Sequence, residues 1–159
     1  MTPEVIETYE FDAIVIGAGI VGLAIAHELS AELKNILVVE KEFTFGKHVS
    51  SRNSEVIHSG IYYEPGSLKA SLCVEGNHLM YDFAQKYNIN HRNCGKLIVI
   101  QTIEELPRLE ALMQNGLQNG VKDMQILTKE EVSKREPLIK SAAALHVPST
   151  GIIDSHTIM

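Results

Sequence analysis

The chain has 159 residues, 45% of them hydrophobic and 21% charged, with a formal net charge of −6. This is ordinary globular composition, enough for one domain or for one domain and part of another. The negative balance argues against nucleic acid as a main partner, and an anionic substrate would need a local cluster of cations. Met1 to Glu10 is polar and reads as a frayed start. Phe11-Asp12-Ala13-Ile14-Val15-Ile16 carries a continuous apolar run from Ala13 that suits a parallel strand buried on both faces. Gly17-Ala18-Gly19-Ile20-Val21-Gly22 follows at G-x-G-x-x-G spacing, and Val21, Ile25, Leu29 and Leu33 then step by four along a helix. A second strand, Asn35 to Val39, ends at Glu40.

Strand, glycines, helix, strand and terminal carboxylate in this order predict a dinucleotide site. Gly17 permits the tight turn, Gly19 lets backbone amides reach a pyrophosphate, and Gly22 lets helix and strand pack closely. The phosphates are expected where the helix start leaves N–H groups unpaired. Glu40 is placed to accept both hydroxyls of an adenosine ribose and to repel a 2′-phosphate, which disfavours NADP.

Lys41 to Ser54 reads as an ordered loop. Its cluster Lys47, His48, Ser50, Ser51, Arg52, Asn53 and Ser54 is rich in donors for phosphate, or else simply solvated. Val56 to Tyr63 is a short strand or tight turn interrupted by Gly60, as where a backbone approaches a ligand. Ser67 is placed to cap a helix to about Asn88, with Leu68, Leu72, Leu79, Phe83 and Tyr87 as its buried stripe and Gly76 weakening its middle. Cys94 to Ile100 is a strand. Thr102 with Glu105 has capping-box spacing, Pro107 interrupts the next helix, and Asn119-Gly120 ends it. Met124 to Leu127 is a strand, Thr128 with Glu131 repeats the capping box, and that helix stops before Pro137. Ala142 to Val147 is a last strand before the turn at Pro148 to Gly151.

The two cysteines, Cys73 and Cys94, lack metal spacing and read as buried small residues in a reducing compartment. The seven histidines form no recognisable grouping, so no metal site is expected. The longest apolar run, Ala13 to Ala26, is too short and glycine-interrupted to span a bilayer. Acidic residues precede it, unlike a secretory signal. A cytoplasmic chain is expected, with peripheral association at the inner membrane as the other option.

With these residues in view, the sequence resembles the FAD-dependent oxidoreductases of the D-amino-acid-oxidase superfamily. Within it, the L-2-hydroxyglutarate oxidase/dehydrogenase family is the nearest match. The block Asp12 to Leu23 gives only the FAD-binding class. His48 to Tyr63, continued by Pro65 to Ala70 and Leu72 to Gly76, is far more specific. Cys94 to Val99, Gly116 to Val121 and Thr150 to Asp154 extend the likeness. Val49 stands where the family has glutamine, and Glu55 where a small residue is more usual.

The resemblance implies an α/β fold: a Rossmann-type FAD-binding βαβ layer with the start of an α+β substrate domain, incomplete. Residues 1–90 would be the FAD-binding part, 91–147 part of the substrate-binding domain, and 148–159 the start of a return to the first. Family members run on further, so the chain is expected to be the N-terminal portion of such an enzyme, or an inactive truncated product. The implied reaction takes a hydride from the 2-carbon of an L-2-hydroxy acid to FAD, with electrons passing to oxygen or a quinone. His58 is the candidate catalytic base. Gly17, Gly19, Gly22, Glu40, Lys41, Ser50, Ser51, Arg52, Asn53 and Gly60 are candidate cofactor contacts. Tyr62, Tyr63 and Lys69 are candidate substrate contacts. A flavoprotein acting on glycerol 3-phosphate or an amino acid, and an NAD-binding module, are the competing readings.

Overall fold

The chain is described by a computed structural model that covers residues 8–159. Most of the expected polar start therefore lies outside the described residues. Two compact units are present: residues 8–54 with 155–159, and residues 55–154.

In the first unit, β1 (Ala13–Ile16) leads through the glycines into α1 (Ile20–Leu29) and returns in β2 (Ile36–Val39). The two strands are parallel, with Ala13 opposite Ile36 and Ile16 opposite Val39. This is the predicted βαβ arrangement, and α1 ends one turn early at Ser30. A 3-10 turn occupies His48–Ser51, and Met159 returns so that its side chain lies beside Gly46. One expectation fails here. Val15 is buried, but Ile14 and Ile16 are 58% and 88% exposed, and α1 buries none of its residues. Successive strand side chains point to opposite faces. Among the described residues, β1 has only β2 as a strand neighbour, so part of its surface stays uncovered.

The second unit begins with β3 (Val56–Ile57), followed by α2 (Leu68–Lys86), β4 (His91–Arg92) and β5 (Lys96–Ile100). A 3-10 turn at Ile103–Glu105 leads into α3 (Leu106–Gln118), then β6 (Gln125–Thr128), α4 (Lys129–Arg135), β7 (Ala143–Val147) and β8 (Gly151–Ile153). Antiparallel β5-β7-β6 forms one sheet and antiparallel β3-β8-β4 another. The mixed α/β class is as expected. The core joins Ile61, Ile100, Leu109, Val121, Met124, Leu145 and Val147, so the turn after Gly60 is anchored against β5, β7 and α3.

Local signals hold well in this unit. Ser67 Oγ accepts from the Ala70 amide, and both capping boxes form. Pro107 sits in the first turn of α3, where a missing N–H costs nothing, and so does not split the helix. The expected stripe on α2 is overturned. Ala70, Asn77 and Ala84 are its buried residues, while Leu68, Leu72, Leu79 and Tyr87 are exposed. The helix lies close to its neighbours through small residues, and the leucines occupy the other face. Both cysteines also depart from expectation: Cys73 is half-buried and Cys94 is exposed.

Gly76 lies inside α2 with nothing within 4 Å of the position a Cβ would take. Gly76→Ala should therefore raise unfolding stability by roughly 0.5–1 kcal/mol, because glycine loses more backbone entropy in a helix interior than alanine. Chemical denaturation measures this, and a loss of stability would contradict the packing described.

Candidate dinucleotide site

Gly17 adopts φ +103°, a conformation that side chains rarely allow, and its amide donates to the Val39 carbonyl at 2.7 Å. The turn is thereby tied to the end of β2. Gly22 is required for a different reason. A Cβ there would run into the Gly17 carbonyl oxygen and come within 3.4 Å of Val15 Cγ1. Gly19 precedes α1 with extended backbone, and a Cβ on it would meet Ser50 Oγ at 3.0 Å.

Glu40 closes the opposite side. Its Oε2 accepts the Ala18 amide at 2.8 Å and its Oε1 the Glu42 amide at 3.0 Å. Those two backbone bonds, the Ala18 one foremost, hold its carboxyl below the usual carboxylate range. Each carboxylate oxygen keeps a further lone pair, so ribose hydroxyls can be accepted without breaking either bond. The sign of the shift makes a prediction. A depressed carboxyl contributes order above its ordinary value and loses it as pH falls through the lowered one. The Ala18 amide resonance should therefore titrate with a midpoint below 4.5 and lose that transition in Glu40→Gln. A midpoint above 4.5, or one that persists in the variant, would refute the contact.

Ser50 Oγ accepts the Ile20 amide at 3.0 Å, which leaves its own O–H to donate to an anion at the helix start. The next amides, of Val21 and Gly22, lie in the first turn, where no carbonyl of the helix can reach them. A cleft of about 620 Å³ opens beside Gly17 and Gly19, lined by Ile14, Ile16, Val21, Ile25, Val49 and Ser50 among others.

The other candidates of this loop mainly hold the loop itself. Asn53 Nδ2 donates to the Ser50 carbonyl at 2.8 Å, and Ser51 Oγ to the His48 carbonyl at 3.3 Å. Lys41 Nζ lies 3.9 Å from Glu42 Oε1, which also takes His48 Nε2 at 2.8 Å. Arg52 is exposed. Glu55 has φ +54°, a left-handed conformation uncommon for residues other than glycine.

Gly60, His58, Tyr62, Tyr63 and Lys69 belong to the second unit. The His58 imidazole is exposed, and its carbonyl accepts Asn77 Nδ2 at 3.0 Å. Gly60 has φ +90° and is buried, with Val74 Cγ2 only 2.8 Å from where a Cβ would stand. Two asparagines of the α3 end fix the turn. Asn115 Nδ2 donates to the Ile61 and Tyr63 carbonyls at 2.8 and 2.9 Å, and Asn119 Nδ2 to those of Gly60 and Tyr63 at 2.9 and 2.8 Å. Asn77 bridges His58 to the Ser149 carbonyl at 2.8 Å. These three amides were not among the candidates. Their signal was two asparagines at i, i+4 in and just past an amphipathic helix, where their helix propensity is poor. No group of His, Cys, Asp and Glu that could hold a metal occurs among the described residues.

Comparison with known proteins shows the family and the fold. The family model described as FAD dependent oxidoreductase matches residues 12–159. L-2-hydroxyglutarate dehydrogenase of Dictyostelium discoideum is 49% identical over 91% of this chain and 33% of its own length. The human protein of that name is 46% identical over 92% of this chain and 32% of its own, and that of Indibacter alkaliphilus 45% over 91% and 37%. The chain thus spans about a third of the length of the curated relatives it matches. Among solved structures, the FAD-bound L-alpha-glycerophosphate oxidase of Mycoplasma pneumoniae superposes with TM-score 0.84 at 31% identity, covering 92% of this chain and 40% of that one. Glycine oxidase of Geobacillus kaustophilus, at 24% identity and TM-score 0.81, shares the fold over 95% of this chain and 42% of its own. With the family model matched over residues 12–159, the chain belongs to the FAD dependent oxidoreductases, and FAD is its cofactor.

Proposed function

We propose that the chain serves the FAD-dependent oxidation of an L-2-hydroxy acid, L-2-hydroxyglutarate to 2-oxoglutarate, with oxygen or a quinone as final electron acceptor. The observation that carries this reading is 45–49% identity to proteins named L-2-hydroxyglutarate dehydrogenase across most of the chain. We assign residues 1–90 to cofactor binding, 91–147 to substrate binding and 148–159 to the return.

The residues divide the work as follows. Amides at the start of α1 and the Ser50 hydroxyl hold the pyrophosphate, and Glu40 accepts the adenosine ribose. Lys41, Ser51, Arg52, Asn53 and Gly60 contribute to the cofactor's surroundings. When bound, FAD supplies a two-electron acceptor for the hydride leaving the 2-carbon. His58 takes the proton of the 2-hydroxyl as the carbonyl forms. Tyr62, Tyr63 and Lys69 hold the carboxylates.

Glycerol 3-phosphate is the second reading, favoured by the likeness to the glycerophosphate oxidase. Anaerobic bleaching of the flavin separates the two, followed in the FAD-loaded chain with a full-length relative in parallel. Bleaching by L-2-hydroxyglutarate, and not by glycerol 3-phosphate or L-proline, is expected. Bleaching by either of the others alone would displace the reading. A chain that stays colourless with FAD would favour an inactive product. Among the described residues, no helix is long and apolar enough to cross a membrane. Several relatives are named mitochondrial proteins, so the expected cytoplasmic address is not the one those relatives carry.

A further inference from the structure

The second unit carries a cluster that the reading above uses only in part. Tyr62 and Tyr63 end the turn fixed by Asn115 and Asn119. A lysine ammonium lies over each ring, Lys96 Nζ at 4.3 Å from the Tyr62 centroid and Lys69 Nζ at 4.6 Å from the Tyr63 centroid. The lysines arrive from different elements, Lys96 from the start of β5 and Lys69 from the first turn of α2. Cys73, one turn further along α2, lies within electrostatic reach of Tyr63 and of both ammoniums, and its Sγ donates to the His58 carbonyl at 3.6 Å.

Lys96 is the unusual member. It is half-buried, and burial pushes its ammonium below the usual lysine range. Cys73, whose thiol is kept protonated by burial, lies near it, and among the described residues no carboxylate acts on it. A ring face compensates a buried ammonium far less than a hydrogen-bonded carboxylate does. The rings do, however, hold both lysine stems in place while leaving N–H donors free to turn to a ligand. Two cations that both act on Cys73 and that, among the described residues, have no acid partner are suited to one doubly charged anion.

We propose that Lys96 and Lys69, held over Tyr62 and Tyr63, form a receptor for a small organic dianion, with Lys96 selecting dianion over monoanion. This rests on the reading of the chain as part of a hydroxy-acid oxidoreductase, whose substrate would be such a dianion. A dicarboxylate and a phosphate ester share the required chemistry. Isothermal titration calorimetry of the full chain in the presence of FAD distinguishes them, using glutarate, glycerol 3-phosphate and butyrate, and needs no turnover. One dianion should bind at least about tenfold more tightly than butyrate. Lys96→Met should reduce that dianion to the butyrate level without lowering the thermal midpoint, since it removes a desolvated charge, and Lys96→Arg should restore part of the affinity. Preference for glutarate supports both readings, whereas preference for glycerol 3-phosphate keeps the receptor and removes the hydroxyglutarate reading. Wild-type chain that binds all three alike or none, or Lys96→Met that binds the dianion as wild type does, would overturn the proposal.

Discussion

Gly22→Ala is expected to abolish FAD binding and to destabilise the first unit by about 2–3 kcal/mol, the upper range for forcing extra atoms into a packed site. The added methyl would occupy the space of the Gly17 carbonyl oxygen. That oxygen is backbone, and it cannot rotate away as a side chain would. Gly17 is itself held by its bond to Val39 and by its left-handed conformation, so relief requires α1 to move off the strand. Any such movement displaces the amides of the helix start relative to Glu40. Gly19→Ala meets only the Ser50 hydroxyl and should cost less. Flavin fluorescence titration with thermal unfolding checks this, with Gly76→Ala as the glycine replacement that should not harm. FAD affinity within a few-fold of wild type in Gly22→Ala would show that the cradle does not bind the dinucleotide.

The second large effect concerns His58. In the FAD-loaded protein, His58→Gln should slow flavin reduction by substrate by roughly 10²–10⁴-fold, the span typical of a lost general base. FAD content should stay unchanged. The residue's structural contacts run through its carbonyl, to Asn77 Nδ2 and at 3.6 Å to Cys73 Sγ, and survive the substitution. Stopped-flow reduction under anaerobic conditions measures the step directly. An unaltered rate would remove His58 from the chemistry.

The glycine cradle was legible because every device in it is local. A strand, a turn with special dihedral angles and a helix start each leave a mark within a few residues. Ser67, the two capping boxes and the Asn119-Gly120 helix end were legible for the same reason. The buried face of α2 was not, because periodicity gives the stripe of large apolar residues and not which face finds a partner. Ala70, Asn77 and Ala84 lie inward, and Leu68, Leu72 and Leu79 do not. Strands β4 and β8, of two and three residues, are too short for alternation to show and exist through their antiparallel pairing. The Ser50 contact to Ile20 joins residues 30 apart, and Asn115 reaches carbonyls more than 50 residues away. Only the folded chain brings such pairs together. Lys96 was passed over because a lone lysine at the start of a strand is ordinarily solvated, and its place over the Tyr62 ring is set only in the folded chain.

The most direct measurement is an FAD titration followed by backbone amide resonances of the labelled chain, with NAD in parallel. The amides of Gly19, Ile20, Val21 and Gly22, with that of Ala18 beside Glu40, should shift together and saturate with FAD. NAD should move them far less. If FAD saturates while those five amides stay in place, the phosphates bind elsewhere and the account of this cradle is wrong.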